Sequence, residues 1–244
     1  MKEGKSKRRG AVWVFGMGGV LITVATIALY TPWLPIFDLR HVSIAGNRHT
    51  AGSDVVRLSG LKRGAALPSL HLRAAEARIA TLPWIKTAEL KRVFPHGVQI
   101  EVSERVPVAR RQSSDGKCLL IGEGGVVVLD TCEGWNETIL LVGGSVSGTA
   151  PGAHVLEPAL VRLLDGLLKA TLAGLAVRKV DVSDVASTVL VDDSGMRVLL
   201  GALDVAASRI RPLEALCRAV NVGSYEMIDL RFGGEATLVP RVRR

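Results

Sequence analysis

This chain of 244 residues has side chains able to do chemistry, but few stand in the spacing that chemistry needs. Asp192 and Asp193 are adjacent carboxylates, a type used in paired acid–base work. The surrounding TVLVDDSGMRVLLG, however, reads as two strands meeting at a turn, where neighbouring acids form a solvated tip. His41, His49, His71, His96 and His154 are scattered and show no HExxH or comparable ligand spacing. Glu101 and Glu104 lie in or beside the alternating strand VQIEVSE, where charge complementarity with neighbouring strands is the expected role. No nucleophile, base and orienter assemble. The expectation is a non-enzymatic protein with no cofactor and no metal.

Two glycine clusters invite a phosphate-loop reading. GMGG, with Gly16, Gly18 and Gly19, lacks the preceding strand, following helix and downstream acid of a dinucleotide fingerprint. In CLLIGEGGVVVLD no GKS or GKT follows the glycines and the chain returns to a strand, so a hairpin turn is expected at 122–125. The cysteines are Cys118, Cys132 and Cys217. Cys118 and Cys132 flank that hairpin and could pair in an oxidising compartment; small buried side chains are an equal reading.

The elements that must position any site begin with a membrane signal. Gly10 to Phe37 carries no charged side chain, and about 20 apolar residues suffice to cross a bilayer as a helix. The preceding residues hold Lys2, Lys5, Lys7, Arg8 and Arg9 against Glu3. By the positive-inside rule that end stays in the cytoplasm, and a retained anchor exports the residues after Phe37. The formal net charge of +8 is largely this tail together with Arg241, Arg243 and Arg244. No clustered basic face remains for nucleic acid, and no small-molecule substrate is implied.

Beyond the anchor, FDLRHVSIAGN reads as a strand ending in a Gly-Asn turn. Thr50 or Ser53 is expected to cap a short helix, and a second helix spans about 71–81 with Leu72, Ala75, Ile79 and Leu82 at helical spacing. LPWIKTAELKRVFPHGVQIEVSER supplies two strands around Phe94-Pro95-His96-Gly97, with Val98, Ile100 and Val102 facing a core. After Pro107 come the glycine hairpin, a helix from Glu157-Pro158, and the strands VRKVDVS and TVLVDDSGMRVLLG. A helical segment capped by Asp204 and bent at Pro212 follows, and YEMIDLRFGGEATLV closes with two short strands. Trp84, at a helix end, is expected to cover the core.

FDLRHVSIAGNRHT, LPWIKTAELKRVFPHGVQIEVSERVPVA and MIDLRFGG together resemble the bacterial cell-division family FtsQ/DivIB. The resemblance covers nearly the whole chain in the same order, most sharply at Leu82-Pro83-Trp84-Ile85, Phe94-Pro95 and Glu104-Arg105-Val106-Pro107. It implies an α+β protein: basic cytoplasmic tail 1–11, transmembrane helix 12–36, POTRA-like β-α-α-β-β domain 37–105, mixed and mostly antiparallel β-rich partner-binding domain 106–240, and basic tail 241–244. It implies a single-pass inner-membrane scaffold with both outer domains periplasmic, coordinating septal peptidoglycan synthesis. The implied partners are small membrane division proteins of the FtsB/FtsL type, docking at Asp229, Arg231, Phe232, Gly234, Thr237 and Val239. Arg231 would pair with a partner carboxylate and Phe232 would supply buried area; the bland readings are a salt-bridged surface arginine and a core phenylalanine. The alternative role is a POTRA-type chaperone or secretion component for exported polypeptides.

Overall fold

The computed structural model describes residues 37–113, 115–232 and 235–241, and Thr26 alone among those before them. Among the described residues no helix is long and apolar enough to cross a membrane. The expected tail 1–11 and, Thr26 excepted, the expected span 12–36 lie outside them, as do Gly234 and the end of the basic tail. The chain forms two compact units: a smaller one from 51–79, 88–102 and residues up to Asn47, and a larger one from 48–50, 80–87 and everything from Ser103 onward.

The smaller unit follows the expected order. Strand β1 (His41–Ala45), helices α1 (Gly52–Ser59) and α2 (Leu72–Ile79), and strands β2 (Ile85–Val93) and β3 (Gly97–Glu104) succeed one another, and the sheet runs β1-β3-β2. Alternation buries Val98, Ile100 and Val102 of β3, while Val55 of α1 and Ala75 and Ile79 of α2 are also buried. The expected caps differ. Ala51 occupies the N-cap of α1 and makes no side-chain cap bond, so neither Thr50 nor Ser53 serves. Gly60, with φ 67°, ends the helix in the left-handed conformation that favours glycine.

The larger unit is built on a nine-stranded mixed sheet. Its strands are β4 (Pro107–Gln112), β5 (Cys118–Gly122), β6 (Val126–Leu129), β7 (Ile139–Gly143), β8 (Val177–Val182), β9 (Thr188–Asp192), β10 (Arg197–Gly201), β11 (Tyr225–Asp229) and β12 (Thr237–Pro240), in the order β12-β11-β10-β9-β8-β7-β4-β5-β6. The pairs β4–β7, β7–β8 and β10–β11 are parallel; the others are antiparallel. Helices α3 (Pro158–Lys169), α4 (Leu203–Ala206) and α5 (Ile210–Ala219) supply the cover. Leu160, Leu163, Leu164 and Leu167 of α3 and Ile210, Leu213 and Cys217 of α5 join Ile121, Leu141, Val180, Leu190, Val198 and Ile228 in one core.

The helical segment after β10 breaks at a 3-10 turn, Ala207–Arg209, rather than bending at Pro212, which sits in the first turn of α5 where its missing N–H costs nothing. Asp204 lies inside the first turn of α4 and is not its cap; Ala202 holds that position. Cys118 and Cys132 form a disulfide with Cα atoms 5.6 Å apart, and Cys217 is a buried free thiol.

Candidate partner-binding edge

The two margins of the large sheet are unlike. Along β6 the segment 152–155 lies outside the strand: the Val127 amide donates to Ala153 O at 2.8 Å, Gly152 N donates to Val127 O at 2.8 Å and Val155 N to Gly125 O at 2.8 Å. Among the described residues no strand pairs with the outer side of β12, whose strand neighbour is β11. The register there is Asp229 opposite Thr237, Ile228 opposite Leu238 and Met227 opposite Val239. Leu238 packs on the core, as Ile228 does; Thr237 and Val239, one step away on either side, present the opposite face.

The remaining expected site residues gather where β11 ends. The Asp229 side chain is buried, at 6% residue exposure, and accepts from Arg231 in a fork. Arg231 donates through its backbone N to Oδ1 at 2.9 Å, through Nε to Oδ1 and Oδ2 at 3.0 Å each, and through Nη2 to Oδ2 at 2.7 Å. That guanidinium holds the Asp229 carboxyl below the usual carboxylate range despite burial. Arg231 thus meets a carboxylate of its own chain, where a partner's carboxylate was expected. Its Cζ also lies 5.6 Å from the centre of the Phe232 ring.

Phe232 is 65% exposed and so is no core residue. It lines a cavity of about 790 Å³ together with Leu230, Ala236 and the α5 residues Pro212, Leu216 and Ala219. Arg209, just before α5, was missed from sequence. Its Nη2 donates to Arg231 O at 2.9 Å and its Nη1 donates to Leu200 O, so one side chain ties the ends of β10 and β11. An arginine beside an apolar helical face gives no local sign of such a role. Farther along, Arg241 N donates to Ser224 O at 2.9 Å and its Nη2 to Ser194 Oγ at 2.7 Å, tethering the end of β12.

The other candidates resolve into structural roles. Asp192 accepts from Ser194 N and Met196 N at 2.8 Å each, closing the β9–β10 turn, and Asp193 pairs with Arg178. Among the described residues no group of three His, Cys, Asp or Glu could hold a metal. Glu101 meets Lys91 at 3.2 Å, the expected cross-strand complement. Glu104 does something else: it accepts from the amides of Arg48, His49 and Thr50 at 2.9–3.1 Å and lies 2.9 Å from His49 Nδ1. Burial pushes this carboxyl up, but those amides outweigh it and bring it down to about 2. The His49 ring stacks on buried Trp84 at 4.4 Å, with Trp135 6.0 Å from Trp84.

Residues 37–105 match the family model for the FtsQ-type POTRA domain. A cell division protein FtsQ of Streptomyces collinus is 31% identical, over 75% of this chain and 71% of its own length. The chain belongs to the FtsQ/DivIB family. The FtsQ of Salinibacter ruber is 27% identical over 96% of this chain and 95% of its own, and that of Corynebacterium glutamicum 24% over 88% and 96%. FtsQ membership fits a molecule whose polar clusters brace turns and strand ends. As a member of that family the chain is a non-enzymatic component of the cell-division machinery.

Proposed function

We propose that this member of the FtsQ/DivIB family is a single-pass scaffold whose β12 edge receives the extracytoplasmic segment of a small membrane division protein of the FtsB/FtsL type, with the POTRA-like and β-rich domains in the periplasm. The observation that carries the reading is the asymmetry of the sheet: β6 is covered by 152–155, whereas among the described residues no strand covers β12, which ends the sheet beside an exposed Phe232. Unpaired strand edges take up extended segments from other chains, and an exposed aromatic flanking a cavity is the usual form of an interface anchor. The Cys118–Cys132 disulfide supports an oxidising location, as the basic tail and apolar run support an exported carboxy-terminal part. Membrane attachment would confine both proteins to one plane and raise their effective concentration.

Asp229 and Arg231 support the edge from within, and Thr237 and Val239 form its frame. Full-length protein in detergent, titrated with the extracytoplasmic fragment of the organism's FtsB-type protein, tests the reading. Phe232→Ala is expected to weaken binding about tenfold or more while leaving thermal unfolding unchanged, because the ring is exposed. Tight binding untouched by that change moves the contact elsewhere, and no binding by the wild type removes the assigned partner.

A further inference from the structure

The chain enters the smaller unit at Phe37, the residue that follows the expected span 12–36. That entry point is tied to the β2–β3 turn. Arg40 N donates to His96 O at 2.9 Å, His41 N donates to the same oxygen at 3.3 Å, and His96 Nδ1 lies 3.2 Å from Asp38 O. At the tip of the turn the Phe94 ring meets Phe37 edge-on, with centres 5.7 Å apart. Such a pair covers part of each ring. Even so, Phe94 remains 59% exposed, Val93 44% and Phe37 38%. Apolar side chains grouped on a surface in this way mark a contact with a partner or a membrane.

We infer that Phe94, Val93 and Phe37 insert into the headgroup layer of the bilayer, so that the smaller unit touches the membrane at a second point beside its anchor. This rests on the single-pass reading above. The end of the expected span decides the occupant. A hydrocarbon core of about 30 Å within a bilayer of about 40–45 Å leaves roughly 5–8 Å of headgroup on each side. With Phe37 at the outer boundary of the hydrocarbon, the Phe94 ring centre stands at most 5.7 Å farther out, whichever way the pair points. Phe94 therefore stays at headgroup depth in every orientation of the unit. The neighbouring charges agree. From Leu90 to Ile100 the sequence has no carboxylate, Glu89 pairs with Lys91 at 3.2 Å, and Asp38 is half-buried. Arg92 and Arg40 are exposed. Arg92 donates to Leu67 O at 2.8 Å and Leu70 O at 2.6 Å, and a side chain of this kind can lay its stem on apolar surface while its head meets lipid phosphate. A lone anchor lets the unit tilt. A second contact beside it limits that tilt and sets the direction in which β1 and β3 leave the membrane.

The experiment uses the full-length protein in bilayer discs of phosphatidylethanolamine and phosphatidylglycerol. The photoreactive analogue p-benzoylphenylalanine replaces Phe94, Leu21 within the expected span, or the exposed Ala45 at the far end of β1. After irradiation, mass spectrometry counts lipid adducts. Burial of this apolar surface predicts a yield at Phe94 about tenfold above that at Ala45. Val93→Asp should bring the Phe94 yield down toward that of Ala45, leaving the Leu21 yield and thermal unfolding unchanged. Lipid adducts at Leu21, with a Phe94 yield no higher than that at Ala45, overturn this inference and leave the anchor standing. No adducts at Leu21 overturn the anchor and the inference together. The same Phe94 probe irradiated in cells should also capture lipid; capture of a protein in its place gives the patch to a protein partner and overturns the inference.

Discussion

Glu104→Gln isolates a charge that organises the chain from 48 to 50. The variant keeps the shape and one acceptor oxygen but removes the carboxylate that gathers the amides of Arg48, His49 and Thr50. The Glu104 side chain is 8% exposed, so solvent screens these contacts weakly. Lowering the carboxyl from its ordinary 4.5 to about 2 corresponds to roughly 3 kcal/mol of folding stability at pH 7. Because the folded value is the depressed one, the contribution is complete well above 4.5 and is lost as pH falls toward about 2. At pH 3 the same linkage leaves about 1 kcal/mol. Urea unfolding of wild type and Glu104→Gln, followed by the fluorescence of Trp84 and Trp135, should therefore give midpoints that are far apart at pH 7 and separated by less than half as much at pH 3. Repeating the pair in a His49→Asn background leaves the amide contribution in place and removes the imidazole. Equal midpoints at pH 7, or a gap that does not change with pH, would refute the account of Glu104 as a charged organiser.

Two further outcomes test the larger unit. Replacing both Cys118 and Cys132 with serine opens a loop spanning a sequence separation of 14 residues, and is expected to cost about 3 kcal/mol in urea unfolding, matched by wild type under reducing conditions. Gly143→Ala should cost more than about 2 kcal/mol, since its φ is 85° and a Cβ would stand 2.6 Å from the backbone of Ser183; Gly195→Ala, with φ 80° but open space around it, should cost only about 1 kcal/mol in the same assay.

Legibility followed how local the determining contacts are. Strand β3 was readable because Val98, Ile100 and Val102 alternate with polar neighbours, and α3 because its leucines recur on one face. Strands β4 and β7 gave no such pattern. In β4 the buried residues Val108 and Ala109 are adjacent, and β7 is half-buried along most of its length. Both pair with parallel strands farther along the chain, β4 with β7 and β7 with β8, a relation that no local window carries. The caps failed for a related reason: Ala51 and Ala202 hold positions where serine, threonine or aspartate is the usual choice. The sequence placed Glu104 in or beside a strand, and it is the last residue of β3, but its acceptor role depends on a loop more than fifty positions earlier.

The same distinction bears on the terminal edge. Arg231 and Phe232 are consecutive, and the family resemblance gave both to a partner, beside the plain readings of a surface ion pair and a core side chain. In the fold they divide the work. Arg231 spends its Nε and Nη2 donors on buried Asp229, and its carbonyl is held by Arg209, so its first consequence is a fixed launching point for the β11–β12 connection. Phe232 lies beside that guanidinium and remains 65% exposed. A carboxylate arriving from another chain would compete with a bidentate, charge-assisted pair that is already formed, which leaves little net gain from the new one. An apolar side chain reaching Phe232 displaces only water from apolar surface. The energetics of this edge therefore favour a partner that contributes backbone and apolar area, with charge serving to hold the receiving strand in shape.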